Sequence, residues 1–423
     1  MPTHRSLICL VTALLVQAPW LLAAEQTVPH RLDGSRLARL DRSIEDYIER
    51  KQLAGAVVYV AHNGRVEYLK SFGMQDVESG KKMPTDAIFR IASMSKAVTT
   101  VAALILYEEG RFLLNDPVSK YIPEFANMSV AVAPVAGASP GTKYTTVPAQ
   151  RPVTIRDLMC HTAGLSYGDG ATLAADDYKA ANVQGWYLVD HDEPIGDVVK
   201  RLAKLPLHAQ PGEAWVYGFG TDVLGHLIER VSGQPLDLFL EGRVFEPLKM
   251  TDTGFFLPNE KQARLATVYA RSRTELQRGD QGAYVDGPRK CFSGGAGLLS
   301  TATDYGRFLQ MLLNGGELDG VCLLSPKTVE LMHQNHVGDK YHRDVSAFGL
   351  GFWINDDPGY YGEISSKGSY GWGSAYYPQY LVDPQEKLVA LFLTQLRPAT
   401  DVDLNTKFKV MVYQSLVQAP SVP

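Results

Sequence analysis

Ser93 and Lys96 stand three residues apart in Phe89-Arg90-Ile91-Ala92-Ser93-Met94-Ser95-Lys96. On a helix that spacing sets both side chains on one face, so the amine can reach the hydroxyl. A serine hydroxyl is a weak nucleophile until a base takes its proton, and a lysine amine can be that base. The chemistry such a pair offers is acyl transfer through a covalent acyl-serine. Ser79 and Lys82 repeat the spacing, but in a polar turn with no apolar run after it. Ser93 heads the run Ala97, Val98, Val101, Ala102, Leu104, Ile105. The unpaired N–H groups at the start of that helix favour negative charge developing beside it.

A second serine competes. Gly164-Leu165-Ser166-Tyr167-Gly168 fits the G-x-S-x-G nucleophile elbow, a motif that needs a strand before it and a helix after. Here residues 155–160 have a helical period and Asp169-Gly170-Ala171 reads as loop, so the pattern stands without its setting. A serine with a lysine base also needs a second proton carrier and donors for the oxyanion. Tyr217, in the loop Trp215-Val216-Tyr217-Gly218 ahead of a helix, is the candidate carrier, because an ammonium close by would stabilise its phenolate. The plainer reading makes it a packing residue, one of 21 tyrosines. Tyr370-Gly371-Trp372-Gly373-Ser374-Ala375 is rich in small residues that let backbone approach a ligand; its plainer reading is a turn carrying a surface tryptophan.

The elements that must position these groups fall at the two ends of the chain. Ser35 can cap a helix with apolar Leu37, Leu40, Ile44, Tyr47 and Ile48. Residues 56–61 and 66–72 are β-rich runs around Asn63-Gly64, a strong hairpin signal. Late in the chain, 302–313 has a helical period, 376–382 and 388–394 read as a hairpin around Asp383-Pro384, and Leu404, Phe408, Met411 and Leu416 mark a closing amphipathic helix. Between Asn115-Asp116-Pro117 and about Gly287 the texture is loops and helices. Residues 129–150 read as a long surface loop, 155–159 as a short helix, and 223–231 as a helix stopping at Gly233. This predicts an α+β fold. An antiparallel sheet domain from 25–116 and 288–423 is flanked by helices, a mostly helical domain (117–287) is inserted, and the cleft lies between them.

A chain of 423 residues with 45% hydrophobic and 21% charged residues is an ordinary globular protein with ample core. A formal charge of -5 and no basic tract among aromatics point away from nucleic acid. His4 and Arg5, then an uncharged run from Leu7 to Leu22 broken by Pro19, then Ala23-Ala24, read as a cleaved secretory signal over 1–24. The run is shorter than the roughly 20 residues of a membrane span. The mature protein is therefore expected in the periplasm or outside the cell, without a membrane span. Cys9 lies in that run; Cys160, Cys291 and Cys322 remain and allow at most one internal disulfide. No Cys/His cluster has zinc spacing, so neither metal nor cofactor is expected. His161 reads as a structural residue at a helix end.

Taken in order, several motifs resemble the serine β-lactamase-related superfamily, class C β-lactamase-like. They are Ser93-Met94-Ser95-Lys96, 151–158 running into 161–165, Pro211-Gly212-Glu213 with Tyr217, 222–225, 247–254 and 294–302. The likeness runs over about 36–415, and Tyr370-Gly371-Trp372-Gly373 most resembles its carboxylesterases, often called family VIII. The resemblance implies a β-lactamase/transpeptidase-like fold and an acyl-serine mechanism. In it Ser93 is the nucleophile, Lys96 the base and Tyr217 a general acid/base. The N–H of Ser93 and, by position, that of Ala375 form the oxyanion hole, and Trp372, Gly373 and Ser374 lie along the substrate. Residues 164–168 match an elbow look-alike that such esterases carry without using it.

Two departures bear on substrate. The second motif reads Tyr217-Gly218-Phe219 where Tyr-x-Asn or Tyr-Ser-x is usual, so an amide or hydroxyl facing substrate is missing. The third reads Trp372-Gly373-Ser374 in place of Lys-Thr-Gly, with Lys367-Gly368-Ser369 as another register. Without that lysine the carboxylate of a β-lactam or a D-Ala peptide loses a cationic partner. The expectation is a secreted or periplasmic serine esterase acting on small, neutral acyl esters, its oligomeric state open. The alternatives are β-lactamase or D-Ala peptidase activity on the same fold, and a catalytically silent, penicillin-binding-like protein; intact Ser93, Lys96 and Tyr217 weigh against the last.

Overall fold

Gly55–His62 (β1) is buried along its whole length. Because strand side chains alternate, Val57, Tyr59 and Ala61 enter one core while Ala56, Val58 and Val60 enter another. The computed structural model describes residues 30–134, 137, 139, 141–170, 172–272, 275–341 and 347–418; the expected leader lies outside them. Asn63 (φ 52°) and Gly64 (φ 74°) both adopt the left-handed conformation that a two-residue hairpin turn requires. They return the chain as Arg65–Asp76 (β2), followed by Lys81–Lys82 (β3). The late strands are Ala347–Phe348 (β4), Trp353–Ile354 (β5), Tyr370–Gly373 (β6), Gln379–Asp383 (β7) and Leu388–Leu393 (β8). Together they form an eight-stranded antiparallel sheet in the order β4-β5-β6-β7-β8-β1-β2-β3. The seam runs from Leu388 opposite His62 to Leu393 opposite Val57, so both ends of the chain share one sheet, as the patterning predicts.

Five longer helices support the site: Gly34–Glu49 (α1), Ser95–Glu108 (α2), Gly220–Ser232 (α3), Ala302–Leu313 (α4) and Leu404–Tyr413 (α5). On one face of the sheet, Leu37, Leu40 and Ile44 of α1 meet Leu404, Phe408 and Val412 of α5 over Ala56, Val58 and Val60. On the other, α4 lies close, and a side chain at Gly306 would place Cβ 2.6 Å from the Tyr59 ring. Beyond it, α2 is buried from Ser95 to Leu106 and packs on α3. A helix without a polar face is stable only in such a position. Gly233, at φ 76°, ends α3 where the sequence places its stop.

Several expectations need correction. Asp33, not Ser35, caps α1: its carboxylate accepts from Arg36 N–H, and Ser35 Oγ donates to the same group. Residues 129–150 are not one surface loop, because Ser129–Val132 and Thr145–Pro148 pair antiparallel with Val130 and Ala131 buried. Four-residue strands are too short for their alternation to stand out beside a Pro- and Gly-rich connection. Within the stretch read as mostly helical, Tyr269–Arg271 pairs with Leu276–Arg278 and, in parallel, with Leu396–Ala399. The closing helix stops at Tyr413, while Leu416 belongs to Leu416–Gln418, which pairs with His30–Leu32. The second hairpin's first strand starts at Gln379, which leaves Tyr376 in a loop.

The stability of this packing has a pH signature. His333 closes the helix Pro326–Met332, with its ring 4.1 Å from that of Tyr370 and 5.2 Å from that of Phe352. Burial pushes its pKa down to about 4. An unfolded imidazole titrates near 6.5, so this site's contribution is complete above about pH 6.5 and is lost as pH falls toward the folded value. Between about pH 7 and pH 5 the loss amounts to about 2 kcal/mol. Urea melts should show a smaller acid-induced loss in His333→Phe than in wild type; equal losses would contradict this account.

Candidate active site

Ser93 lies in the 3₁₀ turn Ala92–Met94 that runs directly into α2. The turn is pinned from several directions. Ile91 N–H donates to the Leu298 carbonyl at 3.1 Å, the Tyr305 hydroxyl donates to the Met94 carbonyl at 2.9 Å, and Leu298 N–H donates to Ser95 Oγ at 3.1 Å. Ala92 is fully buried and held at φ 35°, a left-handed value that is costly for a residue with a Cβ and persists only where its surroundings enforce it. Ser93 itself is half-buried.

Lys96 is buried one turn on, and its Nζ donates to the Gly295 carbonyl at 2.8 Å and to the Tyr167 hydroxyl at 3.0 Å. The Tyr217 ring centroid is 4.7 Å from the same nitrogen. No hydrogen bond joins Lys96 to Ser93 Oγ in this structure; such contacts often tighten only when substrate is bound. The Gly295 carbonyl is held in turn by Asp222, whose buried carboxylate accepts from Gly295 N–H at 3.1 Å and from Ser293 Oγ at 2.5 Å. A Cβ at Gly295 would fall 2.5 Å from Asp222 Oδ2, so only glycine fits between carboxylate and lysine. Burial raises the Asp222 pKa and the Lys96 charge opposes that rise. The buried carboxyl and the buried amine are thus linked through the N–H and C=O of a single residue, Gly295.

Tyr217 stands in an aromatic wall. Trp215 stacks on it at 5.6 Å and 13°, and His161, Tyr167 and Trp372 lie at 4.7, 5.6 and 5.6 Å. The Trp372 indole N–H donates to the Tyr217 hydroxyl at 3.3 Å. His161 is fully enclosed, and burial, with the Lys96 charge second, pushes its pKa well below the imidazole range. It packs as a neutral ring.

The departures in the second motif acquire a physical reason. A side chain at Gly218 would place Cβ 2.2 Å from the Leu165 carbonyl oxygen, so the chain beside the elbow-like stretch admits no substituent. Phe219 points inward, buried, with its ring 5.0 Å from Tyr167. The residue that replaces the missing amide therefore does not face substrate. It braces Tyr167, whose hydroxyl partners Lys96 and is held well above the usual phenol range by burial. Reading the sequence for motifs passes over Tyr167, because its only mark is membership of an elbow pattern that fails.

Other candidates are held in structural roles or lie on the surface. Ser166 is buried, shares a hydrogen bond with Thr172 Oγ1 at 2.7 Å and accepts from Gly168 N–H at 2.8 Å. Ser79 N–H donates to Asp76, and Lys82 is exposed on β3. Lys367 is exposed in the turn before β6, whereas Trp372, on β6, is the residue that reaches Tyr217. Past Gly373, Ser374 and Ala375 are half-buried, and Ala375 packs on a cluster containing Ala92 and Ala296. Ser93, Lys96, Tyr217 and the small-residue segment therefore share one neighbourhood. Among the described residues no His, Cys, Asp or Glu group could hold a metal ion, and no helix is long and apolar enough to cross a membrane. Cys160, Cys291 and Cys322 are all unpaired.

Comparison with known proteins bears on the whole of this arrangement. The Beta-lactamase family profile matches residues 40–410. Protein Rv1367c of Mycobacterium tuberculosis (strain ATCC 25618 / H37Rv) is 34% identical over 88% of this chain and 92% of its own. Esterase EstB of Burkholderia gladioli is 31% identical over 86% of this chain and 91% of its own. Among solved structures, EstCE1, described as a hydrolase with promiscuous acyltransferase activity, superposes with a TM-score of 0.76. It is 26% identical over 90% of this chain and 99% of that one.

Of the two hydrogen bonds that Lys96 makes, one is removable without touching the backbone. Tyr167→Phe keeps the ring against Phe219 and deletes the hydroxyl. Labelling of Ser93 by a fluorophosphonate probe should slow about tenfold in this variant, the scale of one hydrogen bond to a charged group, with Tm little changed. An unchanged rate would show that the hydroxyl has no part in setting the lysine.

Proposed function

The chain belongs to the Beta-lactamase family, with the β-lactamase/transpeptidase-like fold and serine hydrolase activity, and from that premise we propose that it cleaves small carboxylic esters through an acyl intermediate on Ser93. Lys96 takes the proton of Ser93 Oγ as that oxygen bonds to the ester carbonyl carbon. The carbonyl oxygen becomes an oxyanion facing the N–H groups of Ser93 and Ala375, in a site shielded enough for those dipoles to count. Tyr217 passes a proton to the departing alkoxide, and the carbon–oxygen bond to the alcohol breaks. Water then attacks the acyl-serine, with the same groups exchanging protons in reverse order.

The observation that carries the ester reading is the Trp372 indole on the Tyr217 hydroxyl. At this point of the strand a lysine would offer a charge to the carboxylate of a lactam or D-Ala peptide; here the group is neutral and already engaged with the proton carrier. Two of the relatives named above support the same class, one called an esterase and the other a hydrolase that also transfers acyl groups. Transfer to an alcohol in place of water would use the same intermediate. β-Lactam hydrolysis is the reading that the Trp372 contact disfavours, and a silent binding protein would have no use for a lysine buried beside a serine. The charged, apolar and small-residue succession over 1–24 supports export, with the mature chain starting at Glu25.

Ser93→Ala should abolish turnover of p-nitrophenyl butyrate while Ser166→Ala, which loses only a buried hydrogen bond, keeps most of it; the opposite pattern would refute the assignment. Wild type should turn over p-nitrophenyl butyrate far better than nitrocefin, and equal or reversed preference would remove the ester reading. N-terminal sequencing of the exported protein should begin at Glu25; an intact leader on soluble exported protein would contradict the signal.

A further inference from the structure

The small-residue segment has two ends. At the Trp372 end the indole donates to the Tyr217 hydroxyl, and the nearby Lys409 is paired with Glu363 at 2.7 Å. At the other end Tyr376, directly after Ala375, is buried in the cluster that also holds Ala92, Val268 and Ala296, with Trp186 and Ala375 packed against it. The Trp186 and Tyr376 rings meet edge to face at 5.7 Å and 89°. Over them lies Arg397, its guanidinium carbon 4.6 Å from the Trp186 ring centroid and 5.9 Å from that of Tyr376.

Arg397 is fixed in place by its neighbour, because Leu396 N–H donates to the Tyr376 carbonyl at 2.9 Å. It is exposed and, among the described residues, forms no ion pair or hydrogen bond. Its guanidinium is spread on aromatic rings, with its N–H edge unengaged. A second cation, Arg90, also acts on Tyr376. Arg90 is buried, bonded to the Gln281 and Ala266 carbonyls and to Gln395 Oε1 and not to a carboxylate. Asp280 and Asp190 are acids that act on the neighbouring tyrosines; Asp280 Oδ1 accepts from Gly282 N–H, and among the described residues neither acid bonds an arginine. The Tyr376 end of the segment therefore presents an unpaired guanidinium, whereas Lys409, near Trp372, is paired with Glu363.

We infer that Arg397, mounted on Trp186 and Tyr376 beside the oxyanion segment, binds a carboxylate carried by the ester substrate, so that the enzyme prefers acid-bearing esters to neutral ones. This rests on the esterase reading of Ser93 and replaces the sequence-based expectation of a neutral substrate. A planar guanidinium stacked on aromatics is pre-organised and presents paired N–H donors that match a carboxylate. The cation missing from the third motif is thus supplied at a different place, which fits an ester carrying its acid group away from the position that a β-lactam uses.

The test compares three substrates: neutral p-nitrophenyl butyrate, mono-p-nitrophenyl glutarate with its carboxylate on the acyl side, and 4-butyryloxybenzoate with it on the alcohol side. For each acid ester the kcat/KM ratio to the neutral ester is taken in wild type and in Arg397→Gln, so that differences in ester reactivity and active fraction cancel. At least one ratio should fall about tenfold in Arg397→Gln, the scale of one charge-assisted pair at a partly wetted rim. It should recover in part in Arg397→Lys, and added salt should erode it in wild type only. The ester that responds identifies the side on which the acid lies. Both ratios unmoved, with p-nitrophenyl butyrate still hydrolysed, would overturn this inference alone; no turnover of any ester by wild type would overturn the esterase reading and this one with it.

Discussion

A lysine amine inside a protein is expensive, and the arrangement of this molecule follows from how that expense is met. Lys96 has no carboxylate bonded to it; its nitrogen is held by a backbone carbonyl and a phenol hydroxyl under the face of a second tyrosine. On the proposed mechanism, a direct ion pair would tie up the nitrogen that accepts the serine proton. Placing the acid one residue away keeps compensating charge nearby while leaving the amine available. Asp222 fills that position from α3, Gly295 transmits it, and Lys96 receives it on α2. This explains why position 295 is glycine.

The same constraint shapes the wall opposite. Tyr167 can partner Lys96 only if its ring is held from behind, and Phe219 holds it there. Gly218 lets the two segments touch. Where the family's usual motif has a substrate-facing amide, this chain has an apolar brace behind the hydroxyl that partners the lysine. Trp372 extends the wall and takes the Tyr217 hydroxyl. At the other end of the segment the exposed Arg397 lies on Trp186 and Tyr376.

The parts of this structure legible in the sequence are those set by local rules. Asn63-Gly64 and Gly233 adopt the left-handed conformations that their positions demand, the strands of the central sheet alternate or run apolar as buried strands must, and Ser93 and Lys96 share a turn. That residues 164–168 lack the setting of an elbow was legible for the same reason, since an elbow is a local arrangement and a helix, not a strand, precedes it. What was not legible depends on tertiary contact. Tyr167 earns its role from a lysine 71 residues away, Asp222 from a loop 73 residues on, and Arg397 from rings brought to it by the sheet. The hairpin within 129–150 was hidden because its strands are short and its stability comes from burial of Val130 and Ala131, not from their own pattern.

The central claim is that one serine, Ser93, carries the acyl group. Rapid acid quench of the protein with excess p-nitrophenyl butyrate, followed by digestion and peptide mass spectrometry, measures this directly. The account predicts a butyryl adduct, a mass gain of about 70 Da from the ester's acyl group, on the peptide containing Ser93. An adduct on the peptide containing Ser166 instead, or turnover with no covalent adduct on any serine, would contradict it.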